Sequence, residues 1–218
     1  MEGPMNTSPA NPHTILIATG NPHKLEEISR IFEPLGLHAV GLDTLDDKPP
    51  EPVEDAEDFM GNARIKAVGY ARATGRRCLA DDSGLVVDAL DGEPGVHSAY
   101  WAGAEGTRDE RDARNNDKLL RELHGIPEEN RTARFVCVMC YADPKGTILA
   151  TSQGEMPGWI AHEKSGEHGF GYDPLLVVAD ARTSAELTPE EKNAMSHRGK
   201  AAREIAPKIL EILSSPAK

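Results

Sequence analysis

Ala80-Asp81-Asp82-Ser83-Gly84-Leu85 places two adjacent carboxylates, a hydroxyl and a glycine between apolar residues of strand character. Strand interiors disfavour Asp, so the pair needs a reason. Paired carboxylates at a strand end can hold a hard divalent cation or take a proton from water, and Ser-Gly lets a phosphate oxygen approach the backbone closely. A polar turn fits the hexapeptide as well, and the surrounding sequence has to decide. Side chains alternate along a strand, so only one carboxylate should aim fully into a cleft unless the chain twists at Ser83.

Upstream, residues 57–73 form a helical pattern with Phe59, Ala63, Ala67, Tyr70 and Ala71 on one face and Gly75 as its stop. Asn62 and Lys66 lie four apart and project from one side, where Lys66 either reaches a ligand or is solvated. The acidic, proline-broken stretch from Leu42 to Asp55 is a loop, and Glu54 and Asp55 lead from it into the helix. Further back, Thr14 to Ala18 is a β-branched run followed at once by Thr19-Gly20-Asn21-Pro22-His23-Lys24. This is a strand entering a helix, with Asn21 as N-cap, Pro22 at the first helical position, and a stripe of Leu25, Ile28, Ile31, Phe32 and Leu35 ending near Gly36. Free N–H groups beside Thr19 and Lys24 suit a phosphate. The glycine spacing is not that of a Walker A motif, and an ordinary strand-to-helix turn with a solvated lysine is the other reading.

Downstream, Leu85 to Leu90 continues as strand, Asp91 to Gly95 turns, and Val96 to Gly106 is an irregular segment carrying Tyr100 and Trp101. Thr107 and Glu110 form a capping box for a polar helix that ends at Gly125, with Leu119, Leu120 and Leu123 on its buried side. Its many charges read as a solvated face. Strands at 132–142 and 147–155 are joined by Asp143-Pro-Lys-Gly146 as an antiparallel hairpin. Gly169-Phe170-Gly171-Tyr172-Asp173-Pro174 is either a glycine-rich turn or a place where a planar ligand can lie on the Phe170 ring, and Leu175 to Val178 is strand. Thr188 and Glu191 form a second capping box that puts Lys192 in the first turn. Ser196-His197-Arg198-Gly199 opens a terminal helix with Ala202, Ile205, Ile209 and Ile212 on its core side, and Pro207 should kink it.

The chain has 218 residues and a formal net charge of -12, which works against non-specific affinity for nucleic acid or an anionic membrane. A polyphosphate site should therefore be a small basic island. Three cysteines, Cys78, Cys137 and Cys140, sit in apolar surroundings, which suggests reduced thiols in a cytoplasmic protein. Cys137 and Cys140 lie inside a strand-like run, so core packing is favoured over a metal pair. Residues 1–13 read as a disordered N-terminal extension, 14–213 as one domain, and 214–218 as a frayed tail. Nothing is long and apolar enough to span a membrane.

Five motifs in this order, Thr19-Gly-Asn-x-x-Lys24, Ala80-Asp-Asp-Ser-Gly84, Pro94-Gly95 with Ser98-Ala99, Gly169-Phe-Gly-Tyr-Asp-Pro174 and Ser196-His-Arg-Gly199, closely resemble the inosine and xanthosine triphosphate pyrophosphatase family. The resemblance spans residues 14–212. It implies an α/β, two-lobed fold around a long, mixed, twisted sheet flanked by helices, usually a homodimer. It further implies Mg²⁺-dependent hydrolysis of non-standard purine nucleoside triphosphates such as ITP, dITP and XTP to monophosphate and pyrophosphate. By the same resemblance Asp82 is general base and metal ligand, and Glu54 a second acidic ligand. The turn Thr19, Gly20, Asn21, Pro22, His23 and Lys24, with Lys66 and Ser83, would bind the triphosphate. Phe170 would stack on the purine beside Gly171 and Tyr172, with Asp173, Lys192, His197 and Arg198 around its edge. Two positions depart from the family pattern. Gly61 stands where a glutamate is usual, and Tyr100 where an arginine is usual, so that Arg108 or Arg111 would have to supply the lost cation.

Lys and Arg can only donate hydrogen bonds, so a 6-oxo purine satisfies them and a 6-amino purine leaves donors unpaired, at roughly 1–3 kcal/mol each. Two other readings compete. A related pyrophosphatase for modified pyrimidine nucleotides would share the fold, and a nucleotide sensor would bind without hydrolysis; the Asp81-Asp82-Ser83 set speaks against the sensor.

Overall fold

The computed structural model describes residues 13–215. All of the expected N-terminal extension except His13, and most of the C-terminal tail, lie outside that range; the His13 carbonyl accepts from the His38 N–H at 3.0 Å. Ser214 belongs to the last helix and not to a tail.

Six strands form one mixed sheet in the order β2-β1-β3-β4-β5-β6. They are β1 (Thr14–Ile17), β2 (His38–Val40), β3 (Cys78–Val87), β4 (Thr132–Ala142), β5 (Ile148–Ile160) and β6 (Leu176–Val177). β1 runs parallel to both β2 and β3, and the β3-β4-β5-β6 set is antiparallel. The helices are α1 (Pro22–Phe32), α2 (Phe59–Thr74), α3 (Arg108–Glu122), α4 (Pro189–Met195) and α5 (His197–Ser214).

The caps form where the sequence signals them. Asn21 accepts from His23 N–H with Pro22 in the first turn, Thr107 and Glu110 close a capping box on α3, and Thr188 and Glu191 close another on α4. Gly36 and Gly75 end their helices in left-handed conformations. Three features differ from expectation. β3 ends at Val87, and Asp88–Leu90, expected to continue as strand, forms a 3-10 turn. β2 is a strand that no sequence pattern signals. β5 runs through Pro157 to Ile160, because β6 pairs only with Trp159 and Ile160 and the strand is an edge along the proline. Pro207 stands inside α5.

Strand alternation divides the core. Leu79, Cys137, Met139 and Tyr141 pack with α1 and α5 on one face, while Cys78, Ala80, Val138 and Cys140 pack with α2 on the other. Cys137 and Cys140 therefore face opposite sides of the sheet, and all three thiols are free and buried. Burial pushes Cys137 up to about 12 and Cys140 up to about 11, as inert core thiols. A third cluster, around Leu85, Phe135, Met156 and Leu176, fills the far end of the sheet against Leu119 and Leu123 at the end of α3.

β1 ends at Ile17, opposite Leu79, whereas β3 continues to Val87. From Asp81 to Gly84 the strand is paired with β4 on one side, and among the described residues no strand covers its other side. A cleft opens there.

Candidate active site

A cavity of about 570 Å³ occupies this cleft, and residues from both faces of the sheet reach it around the uncovered edge of β3. On the α2 face, Lys66 Nζ bridges Asp82 Oδ1 at 2.9 Å and Glu54 Oε2 at 2.7 Å. Burial works against the Lys66 charge, but Asp82, Asp81 and Glu54 outweigh it and hold its pKa above the ordinary value. Burial raises the Asp82 carboxyl, which Lys66 and Lys24 only partly offset, and its Oδ2 is buried with no hydrogen-bond partner. Asn62 Oδ1 accepts from Ala56 N–H at 3.0 Å and so pins the loop that carries Glu54.

Gly61 has a steric reason to replace glutamate. A Cβ there would stand 2.4 Å from the Ala56 Cβ, so this loop folds onto the helix only over a glycine. Gly84 acts in the same way: a Cβ would meet Gly95 O and Ser98 Oγ at 2.4 Å. Ser98 Oγ accepts from Leu85 N–H at 2.9 Å and donates to Gly95 O at 2.6 Å, so the Pro94-Gly95 turn docks on the strand edge. The clearance over the glycine, expected to admit a phosphate, is taken up by this turn.

On the α5 face, Asp81 is fully buried and does not line the cavity. Its Oδ2 lies 3.0 Å from Lys24 Nζ and 3.3 Å from Arg198 Nη2. Burial raises its pKa, but Lys24, Arg198 and Lys66 overcome that and hold it well below the usual carboxylate range. Arg198 also donates to Ser83 Oγ at 2.8 Å and to Glu27. Lys192 bridges Asp173 Oδ2 at 2.6 Å and Glu27 Oε1 at 3.0 Å. Glu27 is therefore the anion between the two cations, and Lys192 and Arg198 hold its pKa low against the opposing effect of burial. In sequence Glu27 carries no signal beyond being an acid one helical turn after Lys24.

Phe170 lies beneath both cations, 5.3 Å from Lys192 Nζ and 5.8 Å from the Arg198 guanidinium carbon. Asp173 is buried: Oδ2 accepts from Phe170 N–H at 2.8 Å and Oδ1 from Ser184 Oγ at 2.8 Å. Gly169 has a φ of +81°, and a Cβ there would overlap Asp173, so this bend requires glycine. His197 is buried and stacked on Phe135 at 5.0 Å. Burial first, then Arg198 and Lys192, lower its pKa well below the ordinary value, so the imidazole is neutral and its Nδ1 has no partner.

Thr19, Gly20, Asn21, Lys24, Glu54, Lys66, Asp82, Ser83, Phe170, Gly171, Tyr172, Asp173, Lys192, His197 and Arg198 all line the cavity. Pro22 and His23 do not. Pro22 starts the helix, and His23 stacks on Phe170 at 5.4 Å beside a second groove. Of the two arginines that could replace the missing one, Arg108 lines the cavity, whereas Arg111 lies under exposed Tyr100.

The sequence profile of the Ham1 family matches residues 15–208. This chain belongs to the Ham1 family. Relatives similar to it include a dITP/XTP pyrophosphatase of Corynebacterium efficiens, 47% identical over 91% of this chain and 98% of the relative. Another, from Anaeromyxobacter dehalogenans, is 42% identical over 89% and 96%. Among solved structures, a Coxiella burnetii HAM1 protein superposes with a TM-score of 0.79 at 36% identity, covering 91% of this chain and 98% of that one. A nucleoside-triphosphatase / dITP/XTP pyrophosphatase from Mycobacterium abscessus gives 0.69 at 45% identity, over 89% and 99%.

Proposed function

We propose that the protein hydrolyses dITP, ITP and XTP to the nucleoside monophosphate and pyrophosphate. The observation that carries this reading is the pairing, within one cavity, of a raised-pKa carboxylate at Asp82 with a cationic, Phe170-floored pocket at Lys192 and Arg198.

Asp82 accepts a proton from water as the oxygen adds to the α-phosphorus, the α–β anhydride bond breaks, and pyrophosphate leaves. Burial makes this carboxyl a stronger base than a solvated aspartate. Thr19, Asn21, Lys24 and Ser83, with the Lys24 N–H in the first turn of α1, bind the phosphate chain, and Lys66 adds positive charge beside it. At the other end the purine lies against Phe170. Lys192 and Arg198 each keep an N–H beyond those engaged by Glu27, Asp81, Asp173 and Ser83, and these fit a 6-oxo group.

Asp82 and Glu54 fit magnesium. Their oxygens are hard donors, and Asp82 Oδ2 has no protein partner. Among the described residues no group of three or more His, Cys, Asp or Glu side chains could hold a metal ion, so phosphate oxygens and water would complete its shell, as is usual for this ion. Bound there, magnesium supplies positive charge against the phosphate oxygens. The protein is proposed to work as a cytoplasmic homodimer. Its buried free thiols suit a reducing compartment, and among the described residues no helix is long and apolar enough to cross a membrane.

The test is release of pyrophosphate from ITP, dITP, XTP, ATP, GTP and TTP with Mg²⁺. Preferential release from the first three supports the reading. Preference for TTP would favour a pyrimidine enzyme, and binding without any release would favour a sensor.

A further inference from the structure

The helix α3 reads in sequence as a polar, solvated element, yet its inner face anchors two loops of the cavity. Asp112 Oδ2 accepts from the Gly171 N–H at 2.8 Å. One turn later, Asn116 Nδ2 donates to the Gly171 carbonyl at 2.8 Å and to its own helix at Asp112 O at 2.9 Å. Both backbone groups of the residue following Phe170 are thus held from one helix. The neighbouring loop is tied to the same face: Asn115 Nδ2 donates to Ser98 O at 3.1 Å, and Asn115 Oδ1 accepts from Ala102 N–H at 2.8 Å. Tyr172 Oη donates to that same Ser98 carbonyl at 3.0 Å.

Gly171 lies outside every strand and helix, carries no side chain to fix it, and has a φ of +62°. Its peptide is free to swing unless something outside the loop binds it. Stacking on an aromatic face depends on ring placement, and a displacement of about 1 Å in a recognition group is enough to lose most of its effect. The remaining restraint on the Phe170 backbone comes from Asp173, which Lys192 already shares.

We propose that Asp112 and Asn116 are positioning residues for base recognition. They hold the Gly171 peptide so that Phe170 presents its face to the purine, and they contribute nothing to binding of the phosphate chain. This rests on the nucleotide reading above.

Calorimetry separates the two ligand halves: titrate ITP in the form whose α–β bridging oxygen is replaced by methylene, so that it binds without being cleaved, and separately inorganic tripolyphosphate, into the intact wild-type protein, Asp112→Ala, Asp112→Asn and Asn116→Ala, each with Mg²⁺. Asp112→Ala and Asn116→Ala are expected to weaken ITP by about tenfold or more, the effect of a lost hydrogen bond to a charged or buried group. Tripolyphosphate affinity should stay unchanged. Asp112→Asn should restore most of the loss, because the amide oxygen accepts the same N–H. Unchanged ITP affinity in both alanine variants overturns the proposal. So does equal weakening of both ligands, the signature of a general structural role, and so does failure of Asp112→Asn to rescue. A wild-type protein that binds ITP without releasing pyrophosphate sinks the hydrolytic reading and leaves this inference to be decided by the same titrations. If the wild type binds ITP no better than tripolyphosphate, base recognition and the inference fail together.

Discussion

Asp81 and Asp82, consecutive on one strand, hold different cations on opposite faces of the sheet: Asp81 Oδ2 lies 3.0 Å from Lys24 Nζ, and Asp82 Oδ1 lies 2.9 Å from Lys66 Nζ. The period of two in a strand imposes this split. Asp81 organises Lys24 and Arg198 from behind, while Asp82 faces the cavity, so the two should respond differently to substitution.

Asp82→Asn keeps the size and one acceptor but cannot take a proton. Pyrophosphate release from ITP should fall by roughly 10²–10⁴-fold, the usual contribution of a general base, while ITP binding survives. Normal turnover by this variant would remove the centre of the proposed function.

Lys66→Met removes the cation shared by Glu54 and Asp82 and leaves two partly buried carboxylates facing each other. Breaking a buried pair in this way costs about 3 kcal/mol or more, so urea unfolding should shift to clearly lower midpoints. Added Mg²⁺ should recover more stability in the variant than in the wild type. A variant as stable as the wild type without Mg²⁺ would mean that the pair carries no such strain.

Arg198→Ala should reduce the ratio of kcat/KM for ITP over ATP by roughly tenfold to hundredfold, since a donor facing the 6-position discriminates the two bases. Stability should also fall, because Asp81 and Glu27 lose a buried partner. Equal losses on ITP and ATP would count against Arg198 as a base-reading group.

His197 gives a pH signature. Its folded pKa is depressed by burial, Arg198 and Lys192, so near pH 6 the unfolded chain binds a proton there that the folded protein does not. Stability therefore falls as pH drops below about 6.5, by up to about 1.4 kcal/mol per pH unit from this one group. His197→Gln should flatten the dependence of unfolding free energy on pH between 6.5 and 5.5. An unaltered slope would show that the imidazole titrates normally in the folded protein.

Local signals were readable in the sequence because their physics is local. Asn21-Pro22, Thr107 with Glu110, and Thr188 with Glu191 each specify a helix start within four residues, and the alternation across Asp81 and Asp82 follows from strand geometry alone. What the sequence hid depends on partners far along the chain. Glu27 looks like any acid on an amphipathic helix until Arg198 and Lys192 are folded against it. Asn115 and Asn116 sit in a highly charged helix and read as solvated, yet both are buried, because the loops at 98–102 and 170–172 close over them. The strand β2 is three residues long with a mostly exposed start, too short for a period to register, and exists by pairing with β1.

The early end of β1 leaves one side of part of β3 without a strand neighbour, which in most sheets invites another chain to add itself and aggregate. Here the unpaired stretch lies at the bottom of a concave, charge-lined recess that a small nucleotide can enter and a polypeptide strand cannot readily follow. The recess that exposes Asp82 to ligand thereby also shields the strand edge from edge-to-edge association, and cutting back its rim to enlarge access would weaken that shield.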